Sequence, residues 1–181
     1  MTNYRIAASL LALLFVTSVA IADDWPQWLG PGGASEWSET GIRTTLPEGD
    51  LPVKWRADCS YGYAGPAVAG GKVYLFDYEV TSGKVENNPG RPIKLAGRER
   101  LHCLDAATGQ VAWTKGSNVE YYVSYPGGPR ATPTVDGDHV YTLGTEGDLT
   151  CRRTADGEQV WHVSFKEKFG AKTPVGGHSS C

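Results

Sequence analysis

The chain has 181 residues, 40% hydrophobic and 20% charged, which fits one ordinary globular domain. Its formal net charge is −3 at pH 7, and nucleic-acid-binding domains normally carry a basic surface, so we expect no nucleic-acid partner. Glycine (23), proline (11) and tyrosine (9) are plentiful and methionine (1) is scarce, which favours short strands and tight turns. The composition predicts an all-β protein.

The first 22 residues have the pattern of an export signal. Arg5 precedes an almost continuous apolar run over residues 6–16, and Ala20 and Ala22 are small residues at a cleavage site. The run is shorter than the ~20 apolar residues that span a bilayer, so a permanent membrane anchor is the less favoured alternative. We predict a signal peptide over residues 1–22 and a mature protein that is secreted or periplasmic.

A hairpin pattern follows in the first half of the chain and occurs again in the second half. Residues 66–76 alternate apolar and small side chains around a Gly70-Gly71 turn, and residues 133–142 do so around Asp136-Gly137. Both dipeptides adopt the positive φ values that two-residue hairpin turns require. Each hairpin predicts the first two strands of a four-stranded unit.

A second motif completes each unit. The segment CLDAATGQVAW from Cys103 to Trp113 is echoed by CRRTADGEQVW from Cys151 to Trp161, so the two tryptophans are 48 residues apart. Four short strands at this period are typical of one β-propeller blade. Such a blade cannot bury both of its faces alone, so a large side chain must fill the gap to its neighbour. We interpret Trp113 and Trp161 as packing residues rather than ligand-stacking residues.

The segments of the chain follow from this repeat. We predict a signal peptide over 1–22, an N-terminal segment with a closing strand over 23–56, a first blade over 57–116 with an inserted loop at 77–99, a second blade over 117–165, and the start of a truncated third blade over 166–181.

The turn residues carry a resemblance to a known family. Asp105 can accept turn amides, and Gly109 can adopt a left-handed conformation. The chain resembles the PQQ-like, or quinoprotein-type, β-propeller repeat family, whose blade motif is A-x-D-x-x-T-G-x-x-x-W. The first copy matches this motif at Asp105, Thr108, Gly109 and Trp113, and the second copy matches at Gly157 and Trp161 but has Arg153 and Asp156 in place of the aspartate and the threonine.

The opening segment extends the resemblance. Residues 24–31, DWPQWLGP, are similar to the D-W-P-Q-[WF]-x-G-P start of secreted members. The resemblance covers the propellers of the outer-membrane assembly factor and of quinoprotein alcohol dehydrogenases. It implies seven or eight blades, so this chain would hold about two blades of an incomplete propeller.

No catalytic or metal-ligating residue is predicted. The sequence has no G-x-S-x-G, H-E-x-x-H or P-loop pattern and no adjacent cysteine pair. The four cysteines allow three disulfide connectivities, and buried thiols are favoured over bridges. They are Cys59, Cys103, Cys151 and Cys181. A PQQ cofactor with Ca²⁺ is expected only if the whole protein is a quinoprotein.

Candidate ligand-binding residues lie in the aromatic stretch 121–130, YYVSYPGGPR. Arg130, Tyr122 and Tyr125 stand beside prolines and glycines just before a strand, where they could face the axial mouth of a propeller. Packing beneath the rim is the alternative role for the tyrosines.

The motifs favour a non-enzymatic binding or scaffold module that binds a protein or small molecule at the propeller's loop face. The alternative is the N-terminal part of a PQQ-dependent quinoprotein alcohol dehydrogenase-like oxidoreductase. A further alternative is a structural unit that completes a propeller from several chains.

Overall fold

A computed structural model describes residues 23–178. The predicted signal peptide over 1–22 lies outside the described residues, as do Cys181 and the last residues of the predicted third-blade start. No helix within 23–178 is long and apolar enough to cross a membrane.

The first sheet contains four antiparallel strands in the order β1-β2-β3-β4. These strands are β1 (Ala67–Ala69), β2 (Lys72–Ser82), β3 (Ile93–Asp105) and β4 (Val111–Val123). The Gly70-Gly71 turn joins β1 to β2, and both glycines have positive φ values of 57° and 70°. This is the geometry that the two-residue hairpin requires.

The second sheet repeats the same order with shorter strands. It contains β5 (Thr134–Asp136), β6 (His139–Leu143), β7 (Asp148–Arg153) and β8 (Gln159–Ser164), and the short helix α1 (Phe165–Phe169) follows it. The prediction of an all-β chain with two four-stranded antiparallel blades is confirmed.

The segment 77–99, predicted to be an inserted loop, is mostly strand. Residues 77–82 continue β2 and residues 93–99 continue β3, so only residues 83–92 connect them. The prediction was wrong because the many polar residues on one face of each strand obscured the alternation of buried and exposed side chains that marks a strand. On the other face, Tyr78, Leu95 and Tyr121 are buried, and the rings of Tyr78 and Tyr121 stack 3.9 Å apart. The insertion therefore lengthens the first sheet and gives it a second hydrophobic cluster.

One predicted boundary and one predicted strand also differ from the structure. The boundary between residues 116 and 117 falls inside β4, which continues to Val123. No strand occurs in the part of 23–56 that was expected to hold a closing strand. A single antiparallel bridge joins Trp25 to Val68 there instead. Hydrogen bonds between these two residues, at 2.8 and 2.9 Å, attach the N-terminal segment to β1, an edge strand of the first sheet.

Trp113 connects the two sheets. Its indole N–H donates to the carbonyl oxygen of Thr154 at 3.0 Å, and its ring lies against Gly157. The same contact occurs once more upstream, where Trp55 donates to Ala106 at 3.0 Å and packs on Gly109. In both cases the accepting carbonyl lies three residues before the glycine. A tryptophan on one segment therefore docks on the glycine turn of the next sheet.

Trp161 differs from Trp113 in its exposure. It holds the same register position, opposite Cys151 as Trp113 is opposite Cys103, and a β-bulge interrupts the pairing directly beyond each pair. Trp161 nevertheless remains 40% exposed, because no described residue forms a third sheet against it. Its ring contacts that of Tyr141 at 5.9 Å.

The two repeat turns are braced by different side chains. In the first turn, Asp105 accepts from the backbone N–H groups of Ala107 and Thr108, both at 3.1 Å, and from the Thr108 hydroxyl at 3.0 Å. In the second turn, Arg153 forms an ion pair with Asp156. Both turns keep a glycine with a φ value near +70°, which is the conformation that an L side chain rarely adopts.

The described cysteines differ in burial. Cys103 and Cys151 are buried, and burial raises the pKa of both thiols. Cys59 is exposed, so the expectation of a buried thiol does not hold for it. No disulfide joins these three cysteines.

Candidate functional site

Connecting segments from both sheets meet at one end of the molecule. Tyr63 donates its backbone N–H to Pro129 at 2.8 Å, Asn88 donates to Ser124 at 2.9 Å, and Ser124 donates to Val175 at 2.8 Å. These backbone bonds join segments that are distant in sequence. We call this end the loop face and define it by residues 60–64, 83–92, 124–130, 144–147 and 171–178.

Arg130 lies at the centre of the loop face. Its guanidinium donates to the carbonyl oxygens of Gly128, at 2.6 Å, and Tyr125, and to the Thr145 hydroxyl at 3.2 Å. It also lies over the Tyr63 ring, 5.2 Å from the centroid. Partial burial lowers the pKa of this guanidinium. Arg130 therefore holds the loops of this face together. Its guanidinium N–H groups are largely used in these hydrogen bonds.

The other two predicted ligand residues are exposed on or beside this face. Tyr125 follows β4, and its carbonyl oxygen accepts from Arg130. Tyr122 is 65% exposed, and its backbone N–H donates to the Glu146 carboxylate at 2.9 Å. Tyr122 alternates along β4 with the buried residues Tyr121 and Val123, so its ring points away from the packed side.

Sequence reasoning missed two further tyrosines on the loop face. Tyr61 and Tyr63 are 50% and 49% exposed and line a shallow depression of about 380 Å³ with Ser60, Gly62, Val85, Asn87 and Gly127. The Tyr63 hydroxyl donates to Asn87 at 3.0 Å. A side chain at Gly127 would come within 2.8 Å of that hydroxyl. The alternating Tyr-Gly-Tyr sequence was the available signal.

A cleft of about 240 Å³ separates the two sheets below the loop face. Glu99, which the sequence reasoning also missed, lines it and is only 7% exposed. One carboxylate oxygen, Oε1, accepts from the Tyr121 hydroxyl at 2.5 Å and from the backbone N–H of Thr145 at 2.8 Å. Burial raises the pKa of Glu99, although these two hydrogen bonds oppose the shift. A buried acid thus joins the two sheets.

The described residues do not fit a PQQ cofactor held with Ca²⁺. Calcium takes six to eight oxygen ligands, largely from carboxylates. Within 23–178, no group of three or more His, Cys, Asp or Glu side chains is arranged to hold a metal ion. Arg130, the cation at the centre of the loop face, is already bonded to backbone carbonyls.

Residues 97–179 match the family described as outer membrane protein assembly factor BamB. The crystal structure of BamB from Moraxella catarrhalis is 20% identical, with a TM-score of 0.31, over 59% of this chain and 34% of that chain. A europium-containing methanol dehydrogenase is 18% identical, with a TM-score of 0.29, over 64% of this chain and 27% of that chain. No curated protein matches the chain.

The chain thus spans about a third of the length of the solved structures it matches. The similarity to this family rests on the matched residues and on the two repeated sheets. The match begins in β3 and includes the whole of the second sheet. The matched residues and the two repeated sheets thus support a PQQ-like β-propeller repeat family for this chain.

Proposed function

We propose that this chain is an exported binding module that uses its loop face to bind a protein partner. The observation that carries the proposal is the set of exposed tyrosines on an ordered loop platform. Tyr61 and Tyr63 are half exposed beside a shallow depression, and Tyr125 follows on the adjoining loop. Tyrosine is enriched in protein interfaces because it offers a large apolar surface with a polar tip.

The rigidity of this platform supports the same proposal. Arg130 ties residues 125–130 together, and backbone bonds attach this loop to residues 63 and 64. A surface that is ordered before binding loses less conformational entropy when a partner docks. Binding residues on loops are most effective when a rigid scaffold holds them, and the two sheets supply that scaffold here.

Site-specific photo-crosslinking in the producing cells tests this function. A photo-crosslinking amino acid in place of Tyr61 is expected to give a discrete protein adduct. The same amino acid in place of Val111 is the control, since Val111 is also exposed but lies at the opposite end of β4. Equal labelling at the two positions, or no adduct at Tyr61, would overturn the proposal.

The oxidoreductase alternative has a direct test. PQQ and Ca²⁺ are added to the full-length gene product, and dye-linked alcohol oxidation is measured. We expect no turnover above that of the protein without additions. Robust turnover that depends on both additions would replace the binding role with a dehydrogenase role.

Export is tested separately. The proposal places the mature protein in the periplasm or outside the cell, supported by the signal pattern of residues 1–22. N-terminal sequencing of the protein from the extracytoplasmic fraction is expected to begin at Asp23. Recovery of the full-length chain from the cytoplasm alone would contradict export.

A further inference from the structure

The cleft between the two sheets has charged groups of opposite sign at its two ends. Asp148, Thr150 and Arg152 alternate along β7 and all line the cleft. Residues at alternate positions of a strand share one face, and four residues extend over ~13 Å. Asp148 therefore marks one end of the cleft and Arg152 marks the other.

The acidic end holds a buried carboxylate that is only partly bonded. Glu99 uses Oε1 for both of its hydrogen bonds, while Oε2 has no hydrogen-bond partner among the described residues. Oε2 lies beside Gly144, where an added Cβ would be only 2.3 Å away. Asp148 lies close enough to raise the pKa of Glu99 further and is itself paired with His162 at 2.9 Å.

The basic end contains a cation that forms no direct ion pair with a described carboxylate, although Glu158 lies near it. Arg152 is half buried and donates to the carbonyl oxygen of Gly157 at 3.1 Å, but no described acid forms an ion pair with it. Burial lowers the pKa of its guanidinium, and the nearby negative charge of Glu158 partly opposes this shift. The neighbouring Lys115 is already paired with Glu158. Because charged groups are costly to bury without partners, Arg152 favours an anion in the cleft.

We propose that this cleft binds a short free peptide, with its ammonium group at Glu99 and Asp148 and its carboxylate at Arg152. The two ends of the cleft have opposite charge, so a zwitterion satisfies both. A dipeptide spans at most ~7 Å and a tripeptide ~10 Å. With the side chains reaching inward from each end, these lengths suit the ~13 Å separation along the backbone of β7. This site is distinct from the loop face and does not depend on protein binding there.

The polar lining between the two ends fits the same ligand. Ser117, Asn118, Thr150 and Gln159 line the cleft with hydroxyl and amide groups. Such groups hydrogen-bond the N–H and C=O of a peptide bond. A neutral sugar would also meet these groups, but it would leave Glu99 and Arg152 without charged partners.

Isothermal titration calorimetry on the mature chain tests the proposal. Glycylglycine and triglycine are the probes, and glycine, N-acetyl-glycylglycine, glycylglycinamide and glucose are the comparisons. We expect the two free peptides to bind and each blocked peptide to bind at least 10-fold more weakly. Equal binding of free and blocked peptides, preferential binding of glucose, or no binding of either free peptide would overturn the proposal.

Variants locate the site. E99Q and R152Q are each expected to weaken triglycine binding at least 10-fold. R153Q is the matched control, because Arg153 is adjacent in sequence but exposed and paired with Asp156 outside the cleft. If E99Q fails to fold, D148N takes its place as the acidic-end variant. Unchanged affinity in a folded acidic-end variant would refute the site.

Proton release gives an independent readout. An ammonium group at Glu99 favours its ionised form, so peptide binding should release a proton over the pH range in which Glu99 is still protonated. The binding heat would then change with the ionisation enthalpy of the buffer, and E99Q would abolish that dependence. The other charged and titratable groups around Glu99 are Tyr78, Tyr121, Arg130, Glu146 and Asp148, together with His162 beside Asp148. A buffer dependence that survives in E99Q would assign the proton to one of these groups and contradict this step.

Discussion

Trp113 and Gly157 touch across the boundary between the two sheets, with so little space that a Cβ on Gly157 would lie 2.7 Å from the indole ring. Gly157 also has a φ value of +71°. Two separate constraints therefore require glycine at this position. Through this contact, the indole on the last strand of the first sheet packs directly on the turn between β7 and β8 of the second sheet.

Replacing Gly157 with alanine should destabilise the chain through both constraints. The left-handed backbone costs about 1–2 kcal/mol for an L residue, and overpacking against Trp113 adds about 1–3 kcal/mol. Gly137→Ala is the matched control, since Gly137 has a φ value of +53° but open space around its Cβ position. Urea unfolding of both variants should show that Gly157→Ala lowers the free energy of unfolding more than Gly137→Ala does. Equal losses would mean that the indole contact contributes nothing.

Trp113 and Trp161 should differ in their contribution to stability despite their equivalent register. Trp113→Ala removes a packed indole and its hydrogen bond to Thr154. We therefore expect the free energy of unfolding to fall by about 3–5 kcal/mol. Trp161 is 40% exposed, so Trp161→Ala should cost less than about 2 kcal/mol in this chain. Urea unfolding monitored by circular dichroism measures both values. Similar losses would show that Trp161 is covered in solution.

Arg130→Gln should loosen the loop face while leaving the sheets intact. The substitution removes hydrogen bonds to the carbonyl oxygens of Gly128 and Tyr125. We therefore expect the free energy of unfolding to fall by about 1–3 kcal/mol. Amide hydrogen exchange should accelerate in residues 124–130 and remain unchanged in β2 and β3. The exposed Arg91 supplies the control variant Arg91→Gln, which should leave exchange in 124–130 unchanged. Protection in the loop that survives Arg130→Gln would contradict the role of this side chain.

Glu99 should make the chain less stable as the pH rises. Its pKa is raised in the folded state, so the folded chain binds more protons than the unfolded chain above the ordinary pKa of glutamate. Stability is then greatest below that pKa and falls as the pH rises through the folded-state value. Glu99→Gln should flatten the stability curve above the ordinary glutamate pKa. An unchanged slope would assign the dependence to another group.

Asp77 should have the opposite pH dependence. Burial opposes its ionisation, but Arg100 donates to both carboxylate oxygens at 2.9 and 2.8 Å, and Ser60 donates its backbone N–H at 2.7 Å. His102 also lies 3.1 Å from this carboxylate, though Nε2 makes no well-aligned hydrogen bond. Together these contacts hold the pKa of Asp77 well below its usual range. The stability from this group is therefore present above the ordinary aspartate pKa and is lost as the pH falls.

Asp77→Asn tests this assignment. Breaking a buried ion pair costs about 3–5 kcal/mol, so the variant should be destabilised by that amount at pH 7. The difference from the parent chain should shrink as the pH falls below the ordinary aspartate pKa, because the unfolded parent takes up a proton at Asp77 there while the folded parent stays ionised. Glu86→Gln is the control, since Glu86 forms only an exposed pair with Lys84. If the difference in unfolding free energy between the parent and Asp77→Asn stayed constant across the pH range, ionised Asp77 would not be the source of the pH dependence.

The extension of the first sheet shows why part of the fold could not be predicted. Residues 77–99 contain many charges, which indicated a loop. In the structure, Asp77, Glu79 and Arg98 lie on one side of the two long strands, where Arg100 pairs with Asp77 and Glu79. Glu99 is buried on the other side. Charge pairing across strands depends on register, which a single strand's composition does not reveal.

The candidate site was only partly predictable for a similar reason. Arg130 was identified from its place among glycines and prolines, and it does lie on the loop face. Tyr63 and Glu99 were not identified, because their partners are 67 and 46 residues away. Contacts of this kind form only when several segments fold against one another.

The amino-acid sequence by itself determined the strands of each unit, the glycine turns and the tryptophan that closes each repeat, because these features depend on local backbone preference and on a regular period. Tertiary structure decided which tryptophan is covered, where the long sheet ends and which acid is buried. These outcomes depend on the neighbour that each side chain meets. Burial and pairing with distant residues set the free energy of a charge or an indole ring, and only the folded chain determines both.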